Sequence, residues 1–371
     1  MSAASADTVQ ERQLLDAARG GDEAAYGRLV ERYHGELHAH CYRMLGSVHD
    51  AEDAMQETML RAWRGIARFE GRSSLRSWLY TIATNTSLNL IEKRPKRALP
   101  VDLGPSYDPT EGPRDPLIES VWVEPYPDEK IGLEDGLASP EAKYEQRESV
   151  ELAFIAALQH LPANQRAVLI LREVLGYSAK EAAEALETTT ASVNSALQRA
   201  RATVEDRLPD RSQQETLRLL GDDRVKEIVD TYVDAWERAD VDAVVGMLTE
   251  DAAFTMPPLR SWFGGREDIA TFLQLSPLGG DWRWRPVYVQ ANGQPALAYY
   301  SWDEGEGAYL PFALNVLTLR GDKIAEIDAF ITRTGENPDP DVLQRMPEQR
   351  FDERALAAAF GNFGLPARLD A

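Results

Sequence analysis

The stretch that decides the fold is Asp50-Ala51-Glu52-Asp53-Ala54-Met55-Gln56-Glu57-Thr58-Met59-Leu60-Arg61-Ala62-Trp63. Its apolar residues Ala51, Met55, Met59 and Ala62, continued by Ile66, recur at the three-to-four spacing of one helix face. Another face carries Asp50, Asp53, Gln56 and Glu57, an acid-and-amide stripe suited to a polar contact with another protein. The spacing predicts a helix over 50–69. Upstream, Leu29, Tyr33, Leu37, Cys41, Met44 and Val48 predict a second helical run, broken at Gly46-Ser47. Downstream, Gly71-Arg72-Ser73-Ser74 reads as a loop. Ser74 is placed to cap a helix running from about Leu75 to Ile91, ended by Pro95.

The charge around this block is uneven. The chain has 371 residues, 40 Lys+Arg against 61 Asp+Glu, and a net charge of −21. Residues 60–97 nevertheless hold nine basic and two acidic side chains, net +7, whereas 98–150 and 222–371 carry −9 and −12. The total argues against a simple nucleic-acid coat; the local cluster, interleaved with aromatics, argues for a nucleic-acid contact at 60–97.

Residues 98–145 are proline-rich and acidic, a composition that predicts a largely irregular linker. Within it, Val121-Trp122-Val123-Glu124-Pro125-Tyr126-Pro127-Asp128 carries two large aromatics, Trp122 and Tyr126, read here as an interdomain docking segment. Residues 146–210 are helical again. Ser178-Ala179-Lys180-Glu181 is a capping box; Thr188-Thr189-Thr190 is a turn. The next helix has Val193, Leu197, Ala200, Val204 and Leu208 on one face and Ser192, Asn194, Ser195, Gln198, Arg199 and Arg201 exposed. Two short helices joined by a tight turn describe a helix-turn-helix.

From 222 onward the pattern changes. A helix with Val225, Ile228, Val229, Tyr232, Val233 and Trp236 precedes strand patterns at Ala253–Met256, Trp284–Gln290, Ala296–Trp302, Phe312–Leu319 and Ile324–Ile331. A further helix is predicted at Glu267–Leu273. Asn292-Gly293 and Gly321-Asp322 are hairpin-turn pairs. This is an α+β domain over 222–335, followed by a tail over 336–371 with an amphipathic Phe351–Phe360 stretch.

Single residues exclude several functions. One cysteine, Cys41, allows no internal disulfide, which fits a reduced compartment and a cytoplasmic location. The first twenty residues lack an apolar segment of the secretory kind, and no apolar run reaches eighteen residues, so no membrane association is expected. The five histidines all lie at or before His160, so histidine acid–base chemistry in the C-terminal domain is excluded. His34, His38 and Cys41 share a helix side but lack a fourth ligand. No metal and no cofactor are expected.

The motifs are specific enough to carry a resemblance. Asp50–Trp63 resembles the core-polymerase-binding helix of extracytoplasmic-function (ECF) sigma factors. Phe69-Glu70-Gly71-Arg72-Ser73-Ser74-Leu75-Arg76-Ser77-Trp78-Leu79-Tyr80-Thr81-Ile82-Ala83-Thr84-Asn85 resembles their promoter-melting loop and minus-10 helix. Ser192–Arg201 resembles their minus-35 recognition helix. The C-terminal block, through Trp236, Ala253-Phe254, Trp262–Ile269 and Ala325–Ile331, resembles the SnoaL-like cone fused to a subset of this family.

The resemblance implies two all-α sigma domains (10–97, and the helix-turn-helix at 146–210) followed by an α+β cone. It implies a DNA-dependent initiation factor without catalytic activity, partnered by core RNA polymerase through its beta-prime and beta subunits and by promoter DNA, with the cone tuning activity. Core binding then falls to Asp50, Asp53, Gln56 and Glu57. Minus-10 contact falls to Phe69, Arg72, Ser73, Ser74, Arg76, Asn85, Lys93 and Arg94, with Gly71 in the loop pocket and Lys96 and Arg97 beside phosphates. Minus-35 contact falls to Ser192, Asn194, Ser195, Gln198, Arg199 and Arg201. Trp78 is expected in the core. The family has Gly where this chain has Glu187, an apolar residue at Thr188, and Lys or Arg at Asn194.

In the cone, Trp236, Phe254, Met256, Trp262, Tyr299 and Asp328, together with Tyr288, Trp302 and Phe312, are the candidates to line a small-molecule pocket. Two alternatives stand beside the main reading: a bifunctional protein whose cone is a cyclase or isomerase with Asp328 as base, and a plain helix-turn-helix regulator.

Overall fold

The computed structural model describes residues 3–111, 121–131, 147–332 and 359–370, without side-chain detail for 3–8. Most of the expected 351–360 amphipathic stretch lies outside the described residues. The chain divides into two compact units. The first takes its described residues from 3–96, 129–149 and 157–207; the second takes them from 97–128, 150–156 and 208–370. No described helix is long and apolar enough to cross a membrane.

The first unit opens with α1 (Ala3–Arg19), α2 (Glu23–Glu31), α3 (His34–Leu45), α4 (Val48–Ile66) and α5 (Leu75–Ile91). The run from Leu29 to Val48 is two helices rather than one, because the chain turns at Arg32-Tyr33. Gly46 then stops α3 in the left-handed conformation, φ 68°, and Ser47 caps α4 by accepting from the Asp50 N–H at 3.0 Å. A Cβ on Gly46 would lie 2.9 Å from the Gln159 side chain, so both conformation and space call for glycine. Ser74 Oγ caps α5 by accepting from the Ser77 N–H at 3.0 Å. Leu37, Cys41, Met44, Ala51, Ala54, Leu79 and Ala83 are buried where α3, α4 and α5 meet.

His40 sits in that core, fully buried, edge-on to Tyr80 at 5.1 Å. Thr84 Oγ1 donates to the Tyr80 carbonyl, so it accepts from His40 Nε2 at 2.9 Å. This fixes the neutral Nε2–H tautomer and leaves Nδ1 buried with no hydrogen-bond partner among the described residues. Burial, then the Arg43 and Arg76 charges, hold the imidazole at about 3. An imidazole depressed below its unfolded value of ~6.5 stays neutral when folded while the unfolded chain takes up a proton. Its contribution is therefore intact above pH 6.5 and lost as pH falls. Between pH 6.5 and 5 the loss is about 2 kcal/mol from this one residue. Burial likewise holds His38 at about 4, so unfolding titrations at both pH values should show the sum of two such losses, and His40→Gln should reduce the slope by its own share; an unaltered slope would sink the assignment.

The unit continues through α6 (Leu152–Gln159), whose last residues belong here, α7 (Ala163–Leu169) with a π turn at Ile170–Val174, α8 (Ala179–Ala185) and α9 (Thr190–Glu205). The capping box is present in both directions: the Ser178 N–H donates to Glu181 Oε2 at 2.8 Å, and the Glu181 N–H donates to Ser178 Oγ at 3.2 Å. α9 packs on α7 and α8 through Val193, Ala196, Leu197, Ala200 and Val204. The turn between α8 and α9 holds Glu187 at φ 50°, the left-handed region where a β-carbon is strained. Glu187→Gly should raise stability by about 1 kcal/mol, read as a higher denaturation midpoint at unchanged cooperativity.

The second unit adds α10 (Gln213–Leu220), α11 (Asp222–Glu237), α12 (Val241–Gly246) and α13 (Arg266–Leu275). These accompany β1 (Leu248–Thr255), β2 (Trp262–Gly264), β3 (Trp284–Ala291), β4 (Gln294–Asp303), β5 (Ala308–Arg320) and β6 (Lys323–Ile331). The sheet order is β2-β1-β6-β5-β4-β3; β1 and β6 are parallel and the other pairs antiparallel. Asn292 and Gly293, both at positive φ (58° and 69°), turn β3 into β4, the backbone of a type I′ hairpin. β2 has three residues, too few for an alternation to register in the sequence. One sheet face and the helices enclose a core with Tyr232, Trp236, Phe254, Phe263, Leu297 and Tyr299.

The described residues of 97–128 lie against this unit. The Tyr107 N–H donates to the Trp262 carbonyl at 2.9 Å, the Val123 N–H to Ala98 at 3.2 Å, and Pro127 bridges to Ala291. At the other end of the chain, Leu369 pairs with Tyr309, and Phe360 packs edge-on against Tyr300 at 5.2 Å.

Candidate nucleic-acid and polymerase interface

The acid-and-amide stripe of α4 is partly neutralised from within. Asp50 is 2% exposed and ion-paired to Arg94, which also reaches Asp53 at 3.0 Å. This corrects two expectations. Asp50 is an internal anchor rather than a partner contact, and Arg94 is held by two carboxylates rather than presented to phosphate. Gln56 is exposed; Glu57 pairs with Arg61 at 2.6 Å. Beside them, α2, α3 and α4 border a groove of ≈ 980 Å³ whose lining includes Tyr26, Met55, Gln56, Met59, Leu60 and Trp63. Leu60 is 50% exposed. The groove's rim carries Glu52, paired with Lys130 at 2.9 Å. Sequence reading missed this apolar floor; the signal was the pair Met59-Leu60, of which only Met59 belongs to the inward stripe.

The loop before α5 is open. Glu70, Gly71, Arg72, Ser73 and Ser74 are all exposed, with Arg72 paired to Glu70 at 2.5 Å. Phe69 is not part of that open surface. It is 9% exposed, its ring packs on Trp78 at 5.0 Å, and its carbonyl accepts from Arg19. Phe69 is thus a floor beneath the loop, a correction to its reading as a minus-10 contact. Arg76 is claimed by Glu36 through Nε and Nη2 at 2.6–3.0 Å and stacks on Tyr80. Burial favours losing its proton, but the Glu36 hydrogen bonds outweigh it and hold the guanidinium charged. Asn85 is half-buried and Lys93 exposed. Arg97, expected beside phosphates, is 5% exposed and donates to the Trp122 carbonyl at 2.7 Å, which removes it from the DNA-facing set.

On α9 the six expected residues Ser192, Asn194, Ser195, Gln198, Arg199 and Arg201 are all exposed. Arg201 pairs with Glu173 at 2.7 Å. Thr189 caps the helix by accepting from the Ser192 N–H at 3.1 Å.

In the second unit, Trp122 is 7% exposed and Tyr126 fully buried. The Tyr126 N–H donates to Asn292 Oδ1, and the Asn292 N–H to the Tyr126 carbonyl, each at 2.8 Å. The neighbouring Asp128 accepts from the Gly293 N–H at 2.7 Å.

The cone holds a cavity of ≈ 50 Å³ lined in part by Trp236, Phe254, Met256, Tyr299 and Phe312. Four expected residues are absent from its walls. Trp262 donates its indole N–H to the Gly104 carbonyl at 3.0 Å. Tyr288 is 50% exposed. Asp328 accepts from Thr255 Oγ1 at 2.7 Å, while the next residue, Ala329, lines the cavity; adjacent strand residues point to opposite faces, so Asp328 points away. Burial pushes its carboxyl up to about 7, but it has no access to the cavity. Trp302, edge-on to Tyr309 at 5.1 Å, is likewise outside the walls. Among the described residues no group of His, Cys, Asp or Glu is arranged to hold a metal ion. Cys41 is buried, its thiol pushed up to about 12.

An open loop before a capped helix, a helix-turn-helix with a polar outer face, and a sheet-rich cone together define a sigma-type protein with an appended domain. The corresponding family models match: Sigma-70 region 2 over 29–97, Sigma-70 region 4 over 151–204, and a SnoaL-like domain over 229–327. The ECF RNA polymerase sigma factor SigG of Mycobacterium tuberculosis (strains CDC 1551 / Oshkosh and ATCC 25618 / H37Rv) is 43% identical over 318 residues, 85% of this chain and 83% of that protein. The RNA polymerase sigma-H factor of Pseudomonas aeruginosa is 28% identical over 199 residues, 54% of this chain and 94% of that one. The crystal structure of the Mycobacterium tuberculosis extracytoplasmic-function sigma factor SigJ shares the fold, with a TM-score of 0.50 at 20% identity, covering 88% of this chain and all of that one. The chain belongs to the ECF RNA polymerase sigma factors, which direct transcription and are not enzymes, and it carries a fused SnoaL-like domain.

Proposed function

We propose that this sigma factor docks on core RNA polymerase, on its beta-prime and beta subunits, through Asp53, Gln56 and Glu57 of α4 and the apolar groove beside them. Arg72, Ser73 and Ser74, with Asn85 and Lys93, meet the minus-10 element; Arg76 joins them only on leaving Glu36. The polar face of α9 reads the minus-35 element in the major groove. Exposed cations at Arg64, Arg68, Arg72 and Lys93 supply salt-dependent affinity for the phosphates. Acting with polymerase places the protein in the cytoplasm. The segment carrying Trp122 and Tyr126 links the SnoaL-like domain's state to sigma activity, and the cone's cavity admits a small-molecule effector.

The observation that carries this reading is the uniform exposure of the six α9 side chains behind a buried apolar stripe. The test is in vitro transcription with core polymerase and the full chain on a library of promoter fragments. Gln198→Ala/Arg199→Ala should lower initiation at least tenfold while leaving core binding intact. Gln56→Ala/Leu60→Ala should lower core binding and initiation together. Initiation unaffected by either pair would overturn the assignment of these faces.

A further inference from the structure

Arg76 stands in the first turn of α5, just after the Ser74 cap and at the edge of the open loop. Its guanidinium is already engaged. Glu36, in the first turn of α3, accepts from Nε at 2.9 and 3.0 Å and from Nη2 at 2.6 Å. The guanidinium also lies over the Tyr80 ring, 4.8 Å from its centre. Tyr80 in turn donates its hydroxyl to the same Glu36 carboxylate at 3.2 Å. The planar fork of an arginine fits a carboxylate and a phosphate alike. Glu36 therefore holds the place that a DNA phosphate would take.

The exchange is open to DNA. The Arg76 side chain is 43% exposed and that of Glu36 26%, so a phosphate can approach without disturbing the core. When Arg76 swings out, Glu36 keeps the Tyr80 hydroxyl and its carboxylate is not stranded. Exposure also limits how tightly this latch closes. A surface ion pair favours the paired state by about fivefold at most, and a surface cation–π contact by about fivefold more. The closed latch, favoured by roughly fivefold to thirtyfold, lies between two competitors. One phosphate met in passing is worth about fourfold, the share of a single contact in non-specific binding. A phosphate held in register by two charge-assisted bonds is worth about a hundredfold. The first leaves Arg76 on Glu36; the second takes it.

We propose that Glu36 is a positioning residue that makes the minus-10 contact selective: it withholds Arg76 from DNA met at random and yields it to a promoter phosphate once the minus-10 element is docked. The proposal rests on reading Arg76 as a minus-10 contact. It adds a specificity role for Glu36, a residue that needs no contact with DNA itself.

The test uses core polymerase with the full chain. A promoter fragment that initiates in the library assay is bound against non-promoter duplex as competitor, between about 50 and 200 mM salt. Glu36→Gln removes the charge and keeps the shape. It should make the competitor about threefold more effective and steepen its log–log salt dependence by about 0.9, the signature of one added phosphate contact. Adding Arg76→Ala to Glu36→Gln should cancel both changes. A gain that survives in the double variant is a general charge effect and overturns the proposal. So does a competitor no more effective against Glu36→Gln than against the unaltered chain. Arg76→Ala alone should weaken promoter binding about fivefold and competitor binding less than about twofold. Should Glu36→Gln not fold, that comparison decides alone: equal losses on both DNAs overturn the proposal while Arg76 stands as a DNA contact. No loss on the promoter removes Arg76 from the minus-10 set, and the proposal falls with that reading.

Discussion

Arg166→Ala is expected to lower the unfolding free energy of the helical unit by about 3–5 kcal/mol. The guanidinium is 4% exposed and has no carboxylate partner in its hydrogen-bond set. Nη1 donates to the Met44 carbonyl and to Gln159 Oε1; Nη2 donates to the Gln159 and Leu161 carbonyls at 3.2 and 3.3 Å. Burial pulls its pKa down to about 10, still charged at neutral pH. Alanine would remove every one of these donors and leave a cavity. Met44 lies in the region-2 match and Arg166 in the region-4 match, so this one side chain ties the two sigma regions. Arg166→Lys retains a charge but not the planar fork, and should fall between the two. Urea unfolding of the three proteins checks the order. A loss below about 1 kcal/mol for alanine would mean that water replaces the donors.

Asn292→Ala should destabilise the second unit by about 3–6 kcal/mol. Asn292 is fully buried at the tip of the β3–β4 hairpin. Its side chain accepts from the Tyr126 N–H at 2.8 Å and donates to the Val150 carbonyl at 2.7 Å. Both partners are themselves buried, Tyr126 and Val150 at 0% exposed, so alanine leaves a donor and an acceptor stranded at ~1–3 kcal/mol each. The remainder is backbone: φ 58° is tolerated by asparagine and strained for alanine. Asn292→Gly separates the terms, losing the two side-chain bonds but recovering about 1 kcal/mol of strain. Thermal unfolding gives the magnitudes. Hydrogen exchange at the Tyr126 amide gives the location, and should accelerate in both variants. Slow exchange retained at Tyr126 in the alanine variant would show that the segment is held by other contacts. The same variants, in the transcription assay above, report whether the linker's seat on the cone matters for sigma activity.

The acidic total obscures the protein's DNA chemistry, and the structure sharpens the picture. Part of the +7 of residues 60–97 is spent internally: Arg94 is held by Asp50 and Asp53, Arg76 by Glu36, and Arg97 by the Trp122 carbonyl. The exposed remainder includes Arg64, Arg68, Arg72 and Lys93, so the DNA-facing charge is smaller than the segment sum.

What the sequence determined by itself is the local order. Apolar residues every three to four positions, Ser74 before α5, and Ser178 with Glu181 before α8 specify helices and their starts, because capping and periodicity involve residues within one or two turns. The exposed face of α9 was legible for the same reason. The hairpin at Asn292-Gly293 was legible because both turn positions require positive φ. Only the tertiary structure decided which charges meet and which side chains are turned away. Arg94 and Asp53 are 41 residues apart, and Tyr126 and Asn292 are 166 apart; nothing local marks such pairs. Asp328 was misread because Ile324, two alternations before it, does belong to the core. Ile327, Ala329 and Ile331 belong to the core as well, so the inward parity changes between Ile324 and Ile327, beside the register shift at Thr318/Leu319 on the neighbouring strand. Alternation along a strand reports its facing only while the register is regular. A bulge reverses the answer, and its position follows from the pairing of strands rather than from either strand alone.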